Sequence, residues 1–361
     1  MAGTLLKTLV TAAYKQRIQV TKFLSGFFKS LPEYQFPGKQ ISIDAIRGSE
    51  EYAIDVSPGS GGRANKANRF TTKVYTPPAY DEYVYLTAEE LNNRLPGRSQ
   101  NEMTEYSMDV ADLIVDRMMI LTDKIDRAEE LQARDALVAG KIILINGDEI
   151  DFKQKSSHQF STPIAWTSST ADPFADFATV GGLIRKDGGR ALKDAIFGEI
   201  ALQKFLNNDA VKGAGDLEQI KRLALTSPIA QQEGAELHGQ FTAGSYIINA
   251  WTYPQVVQIP TGFSLPNEGT KQPYVPTDRI ICLPSDPDFR LYHAGIPSLT
   301  SRVSPEFAGL TGLDRMPTME RAKKLPYFRV DQDADAVKIG VKSNPVSIPA
   351  GIDEFVIITV T

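Results

Sequence analysis

Cysteine is almost missing from this 361-residue sequence. Cys282 is the single one, so no intramolecular disulfide framework is possible, and the chain suits a reducing compartment. Its place between Ile281 and Leu283 predicts a buried, inert thiol rather than a nucleophile. Histidine is nearly as scarce: His158, His238 and His293 stand far apart, none with a neighbour at metal-ligand spacing. No HExxH, CxxC or GK[ST] phosphate loop occurs. Long apolar runs are lacking, since no stretch approaches the roughly 20 residues of a membrane-spanning helix. A basic excess is lacking too. With 39 Lys and Arg against 44 Asp and Glu the net charge is −5, without the basic stripe of a dedicated nucleic-acid binder.

The polar residues that remain assemble no catalytic centre. Gly181-Gly182 and Gly188-Gly189 read as a turn before a helix rather than a phosphate loop. Asp331, Asp333 and Asp335 alternate like an ion-binding loop but lack its glycine and closing glutamate, so a solvated loop is expected. Glu129 and Glu130 occupy adjacent helical positions that do not face each other, and read as surface charges pairing with Arg127 and Arg134. No catalytic, cofactor or metal residue is assigned, and the chain is expected not to be an enzyme.

What is present is architecture. Val110, Ile114, Met118, Leu121, Ile125 and Ala128 recur three or four apart, predicting one helix over 104–139 that ends at Gly140 in a left-handed cap. Residues 141–145 then read as a strand, Asn146-Gly147 as a tight turn, and 149–152 as the returning strand. Ahead of the helix, residues 1–32 form a mildly basic arm rather than a signal peptide. It ends in Phe23, Leu24, Phe27 and Phe28, which are costly to expose and are expected to pack on a neighbouring subunit. A short strand follows at 40–44. Glycine-rich 57–63 is flanked by strand-like 52–56 and 70–75, a long hairpin with a loose tip. Residues 80–86 read as extended, and Thr87 with Glu90 as a capping box.

Further on, Trp166 and Asp172-Pro173-Phe174 lead into a helical region. Leu192, Ala195, Ile196, Ile200, Ala201 and Phe205 fit one helix ending near Asn207-Asn208, with a second over 216–225. Short strands with prolines follow at 246–251, 274–276 and 279–283, and the tail alternates over 336–341 before a closing strand at 353–360. Segregated helices and antiparallel strands make the expected class α+β.

Taken in order, several of these pieces resemble one family. They are the glycine-rich hairpin, Tyr75-Thr76-Pro77-Pro78, Pro96-Gly97, the long helix ending Arg127-Ala128-Glu129-Glu130-Leu131-Gln132-Ala133, Ile150-Asp151-Phe152, Trp166, Asp172-Pro173, Gly234-Ala235-Glu236-Leu237 and Ser347-Ile348-Pro349. This order is similar to that of the phage lambda major head proteins, which adopt the Hong Kong 97 fold. The resemblance implies an N-terminal arm and lead-in strand (1–50) and an extended loop (51–86). It also implies a peripheral domain (87–174) with spine helix 104–140, an axial domain (175–326) and a returning C-terminal segment (327–361).

The implied function is that of a major capsid protein of a tailed double-stranded DNA phage. Such a chain assembles with itself into hexamers and pentamers of an icosahedral head, enclosing DNA without sequence-specific binding. A decoration protein, a scaffold and a portal are expected partners, with assembly in the host cytoplasm, residence in the virion, and no cofactor or membrane. The contact residues expected in the loop are Gly59, Gly61, Gly62, Arg63, Lys66 and Arg69. Lys66 and Lys73 have no identifiable asparagine and carboxylate partners, so no isopeptide cross-link is expected. The competing readings are another ring-forming virion protein such as a tail-tube subunit, against which the long helix argues, and an unrecognised soluble enzyme.

Overall fold

The computed structural model describes residues 20–45, 71–87, 106–144, 149–215, 223–230, 234–262, 268–302, 315–331 and 336–361. The glycine-rich segment 57–63, residues 88–90 of the capping box, the Asn146-Gly147 turn, Asp333 and Asp335 lie outside these residues.

The long helix, α1 (Tyr106–Ala139), follows from the three-and-four spacing, and its 34 residues span about 51 Å at 1.5 Å per residue. It stops at Gly140, whose φ of 63° is a left-handed conformation that a Cβ would strain. Strand Lys141–Ile143 then pairs antiparallel with Glu149–Asp151, and the Phe152 N–H closes the unit on the Gly140 carbonyl at 3.1 Å. No helix among the described residues is long and apolar enough to cross a membrane.

A seven-stranded mixed sheet organises the rest. Its order is Gln159–Ser161, Val356–Thr359, Arg279–Pro284, Leu192–Phe197, Tyr246–Thr252, Glu236–Ala243 and Leu223–Ala230. The central strands are buried on both faces, and their alternation sorts side chains between two cores. Ile281 and Leu283 join a core built on Leu24, Leu137, Phe152, Phe289 and Phe355. Ile280 and Cys282 point into the other, formed by Trp166, Phe177, Phe197, Phe205 and Phe241. Ring centroids of 4.8 Å for Phe177 and Phe241, and 5.1 Å for Phe205 and Phe241, make that second core largely aromatic. Cys282 is fully buried there, and burial pushes its thiol well above the ordinary range, as an inert thiol requires.

Several expectations are corrected. Gly181 and Gly182 lie inside a helix, α2 (Pro173–Gly188), not in a turn before one. Asp172 caps α2 by accepting from the Phe174 and Ala175 N–H groups, and Gly189 closes it at φ 66°. Gly181 is needed because a Cβ there would meet the Tyr246 ring. The single helix over 192–207 is instead strand Leu192–Phe197 followed by α3 (Glu199–Asn207). Gly198 separates them at a point where a side chain would strike the Pro276 and Thr277 carbonyls. A helix α4 (Asp209–Gly215) comes next, and strand Leu223–Ala230 stands where the end of a second helix was expected, while 216–222 lie outside the described residues. The proline-rich strand is Lys271–Pro273 rather than 274–276.

A smaller sheet, ordered Leu325–Asp331, Ala336–Ser343 and Tyr80–Thr87, lies along the middle of α1. Val341, Tyr80 and Val84 pack there on Leu121 and Ile125. Strand Ile41–Ala45, expected over 40–44, pairs with Thr71–Tyr75 from Ile41 opposite Tyr75 to Ala45 opposite Thr71. Residues 52–56, the other expected strand of the hairpin, lie outside the described residues.

Candidate assembly site

Two features of the chain bear on assembly: how the arm is tied to α1, and which apolar faces the fold leaves uncovered. The tie is Glu130. Its position is three residues before Ala133 and seven before Leu137, on the face of α1 that enters the core. It is fully buried, and its two carboxylate oxygens accept the Leu24 N–H at 2.7 Å and the Ser25 N–H at 2.8 Å. These N–H groups open the short 3-10 turn Ser25–Phe27, where backbone donors lack intrahelical partners. Burial raises the Glu130 pKa, and the bonds from Ser25 and Leu24 oppose that rise. Tyr253 closes the site from the other side, sharing a 2.5 Å hydrogen bond with the Thr21 hydroxyl. Burial and then the Glu130 charge push its phenol well up.

This geometry corrects two expectations. Glu129 and Glu130 are not surface partners of Arg127 and Arg134 but buried carboxyl groups, 5% and 0% exposed. The arm aromatics also cover the chain's own core rather than a neighbour's. Leu24 and Phe28 are buried, Phe28 stacks at 5.2 Å on Phe289, and Phe23 lies 5.7 Å from Trp251 and 5.4 Å from Tyr253. Beside Glu130, Asp126 pairs with Lys22 at 2.6 Å and with Lys324, binding the arm and segment 321–324 to the same turn of α1.

The uncovered faces lie elsewhere. Val115, Met119 and Ile120 on α1 are 54%, 38% and 50% exposed. On the outer face of the small sheet Tyr83 and Tyr85 are exposed with ring centroids 5.6 Å apart, and the Lys338 ammonium sits 3.5 Å over the Tyr83 ring. A run of exposed apolar side chains along one helix face is the pattern of a surface awaiting a partner.

The loop residues expected to make contacts, Gly59, Gly61, Gly62, Arg63, Lys66 and Arg69, all lie outside the described residues, between the paired strands Ile41–Ala45 and Thr71–Tyr75. Two of the histidines, His158 and His238, make hydrogen bonds within the fold. His158 is buried, with Nδ1 2.8 Å from the Phe355 carbonyl and Nε2 3.0 Å from Asp187. Bonds from Lys155 and His158 hold the Asp187 carboxyl below its usual range. His238 Nε2 meets the Thr252 hydroxyl at 2.9 Å. Among the described residues no group of three or more His, Cys, Asp or Glu side chains is placed to hold a metal ion. What the sequence reading missed was Glu130, although its place in the apolar stripe was the available signal.

A family model for phage major capsid protein E matches residues 8–360. Among solved structures, the chain is similar to one described as a prophage capsid protein of E. coli CFT073. The TM-score is 0.60 at 14% identity, with 99% of this chain and 98% of that chain covered. A holo-encapsulin complex from Synechococcus elongatus PCC 7942 aligns at TM-score 0.47 and 9% identity over 98% and 94% of the two chains. A chain of Gordonia phage Cozz aligns at 0.44 and 9% over 97% and 89%. No curated protein matches the sequence. The first of these likenesses and the family match bear out the expected α+β architecture of Hong Kong 97 type.

Proposed function

The chain belongs to the phage major capsid protein E family, and from that membership we propose how its parts serve the head. It is a structural major capsid protein that self-associates into a shell, a component of the virion and not an enzyme. In the proposed arrangement six or five copies close each ring, and hexamers and pentamers together form an icosahedral head around double-stranded DNA held without base-specific contact. The extended loop (51–86) reaches a neighbouring copy, with Gly59, Gly61 and Gly62 giving its tip a sharp reversal and Arg63, Lys66 and Arg69 facing acidic side chains. The peripheral domain (87–174) carries the spine helix 104–140, the axial domain (175–326) faces the ring centre, and 327–361 returns to both. Strand Ile41–Ala45 from the lead-in segment (1–50) acts as one leg of the loop, because it pairs with Thr71–Tyr75. A decoration protein, a scaffold and a portal are the proposed further partners, and the host cytoplasm the place of assembly.

The observation that carries this arrangement is the asymmetry of α1. Its C-terminal half is enclosed by the chain's own arm and sheets, while Val115 and Ile120 are half exposed. Native mass spectrometry of gently dissociated particles should yield six- and five-membered rings. Hydrogen exchange should show amides 56–75 more protected in the shell than in the free subunit. Equal protection in both states would remove the loop from the interface, and a ladder of odd, open oligomers would contradict closed rings.

A further inference from the structure

A cleft of about 520 Å³ opens between the arm, α1 and segment 321–324, and beside Phe28 and Leu291 it is lined by Lys22, Ser30, Glu129, His293, Lys323 and Lys324. Three buried side-chain atoms on its wall have no hydrogen-bond partner: Ser30 Oγ, Glu129 Oε1 and His293 Nδ1. Glu129 is 5% and His293 2% exposed, so neither is satisfied by lying at the surface. Buried polar atoms without partners are uncommon in native folds; Ser30 Oγ and His293 Nδ1 can each donate into the space, whereas Glu129 Oε1 is an acceptor that needs a donor from its lysine neighbours. Ammonium groups gather here: Lys22 and Lys324 both pair with Asp126, and Lys323 donates to the Ser30 carbonyl at 3.3 Å. Burial raises the Glu129 pKa, and the Lys324, Lys22 and Lys323 ammonium groups oppose that rise while Asp126 adds to it.

We propose that this cleft binds an oxyanion, a carboxylate or phosphate group, held by Lys323, Lys324, Ser30 and His293. Ammonium, hydroxyl and imidazole groups supply donors from several directions, which matches a group with several acceptor lone pairs and a full negative charge. The occupant joins the arm to segment 321–324 across α1. Two sources present the same chemistry: a free phosphate ion, or an Asp or Glu side chain of a second copy. The second source rests on the self-association of the family.

The chain has only three histidines, so ring-nitrogen-labelled histidine in the full-length unassembled protein gives a short spectrum in which His293 reports on the cleft. Inorganic phosphate and acetate are titrated separately at constant ionic strength. Saturable movement of the His293 signals, with those of His158 and His238 unmoved, is expected, and Lys323→Gln should weaken it about ten-fold. Ser30→Ala removes one orphan without changing charge, and should weaken it several-fold should Lys323→Gln fold poorly. If the same ions slow assembly at constant ionic strength, a second copy's carboxylate is the occupant; unchanged assembly identifies the free ion. A linear, non-saturating response, or equal affinity in parent and both variants, overturns the proposal while leaving the capsid reading intact whenever shells still form.

Discussion

Glu130 turns a helix position into a tether, because one carboxylate satisfies two backbone donors that would otherwise be buried unpaired. Replacing it with alanine leaves both N–H groups without partners, at a cost of roughly 1–3 kcal/mol each. Glu130→Ala should therefore lower the urea midpoint of the free subunit sharply and speed tryptic cleavage after Lys22; an unchanged cleavage rate would mean the arm is held by its aromatics alone. The histidine in the neighbouring cleft makes a pH prediction. Burial, then Lys323, Lys324 and Lys22, push His293 down to about 4 from its usual 6.5. Above pH 6.5 it is neutral folded or unfolded, so its contribution is fully present there. As pH falls from 6.5 towards 4 the unfolded chain takes up a proton that the fold refuses, and stability is lost. Between pH 7 and pH 5 that loss is about 2 kcal/mol. Glu129 and Glu130 run the other way: with raised folded pKa values their contribution is present below about 4.5 and is lost as pH rises through the folded values. The comparison must therefore be differential. His293→Gln should flatten the pH 7 to pH 5 loss relative to the parent in urea unfolding, and parallel curves would assign the acid sensitivity elsewhere.

At the scale of elements, α1 makes two separable predictions. Ile125 is buried against the small sheet, so Ile125→Pro removes a helix hydrogen bond and clashes with the preceding turn, costing about 3 kcal/mol or more. Soluble, assembly-competent protein should fall steeply, and normal yield with normal shells would mean that α1 is not one continuous brace. Ile120, one turn away, is half exposed. Ile120→Asp should shift the stability of the free subunit by only about 0.5 kcal/mol while reducing assembly several-fold, with light scattering as the readout. The same contrast explains what was legible in the sequence. The part of α1 with one apolar stripe, the hairpin behind it and the closing strand declare themselves through a single period. Strand Leu192–Phe197 does not, because it feeds two cores: Ile196 goes to one face and Ala195 and Phe197 to the other, leaving a run that matches a helix equally well. Glu130 was misread for a related reason, since a charge within an apolar stripe looks like a boundary until the donors that occupy it are known. The pairing of Ile41–Ala45 with Thr71–Tyr75 was hidden by distance, as two legs separated by 25 residues leave no local turn signal.

At the scale of the whole molecule, the subunit encloses two cores and ties its arm to its own spine, yet leaves Val115 and Ile120 of α1 exposed. A chain in a family of shell proteins associates with copies of itself. Closed symmetry requires each subunit to repeat one interface around a ring, so in the proposed arrangement the exposed helix face and the loop meet the same neighbour or its symmetry mate. If Arg63, Lys66 and Arg69 face acidic side chains as proposed, early assembly should slow as salt rises beyond about 0.15 M, where screening acts within roughly 8 Å. The most direct test is cryo-electron microscopy of the purified chain under assembly conditions. Closed shells in which a neighbouring copy covers Val115 and Ile120 are expected; tubes, compact monomers under every condition, or shells that leave those two side chains in solvent would contradict the capsid role.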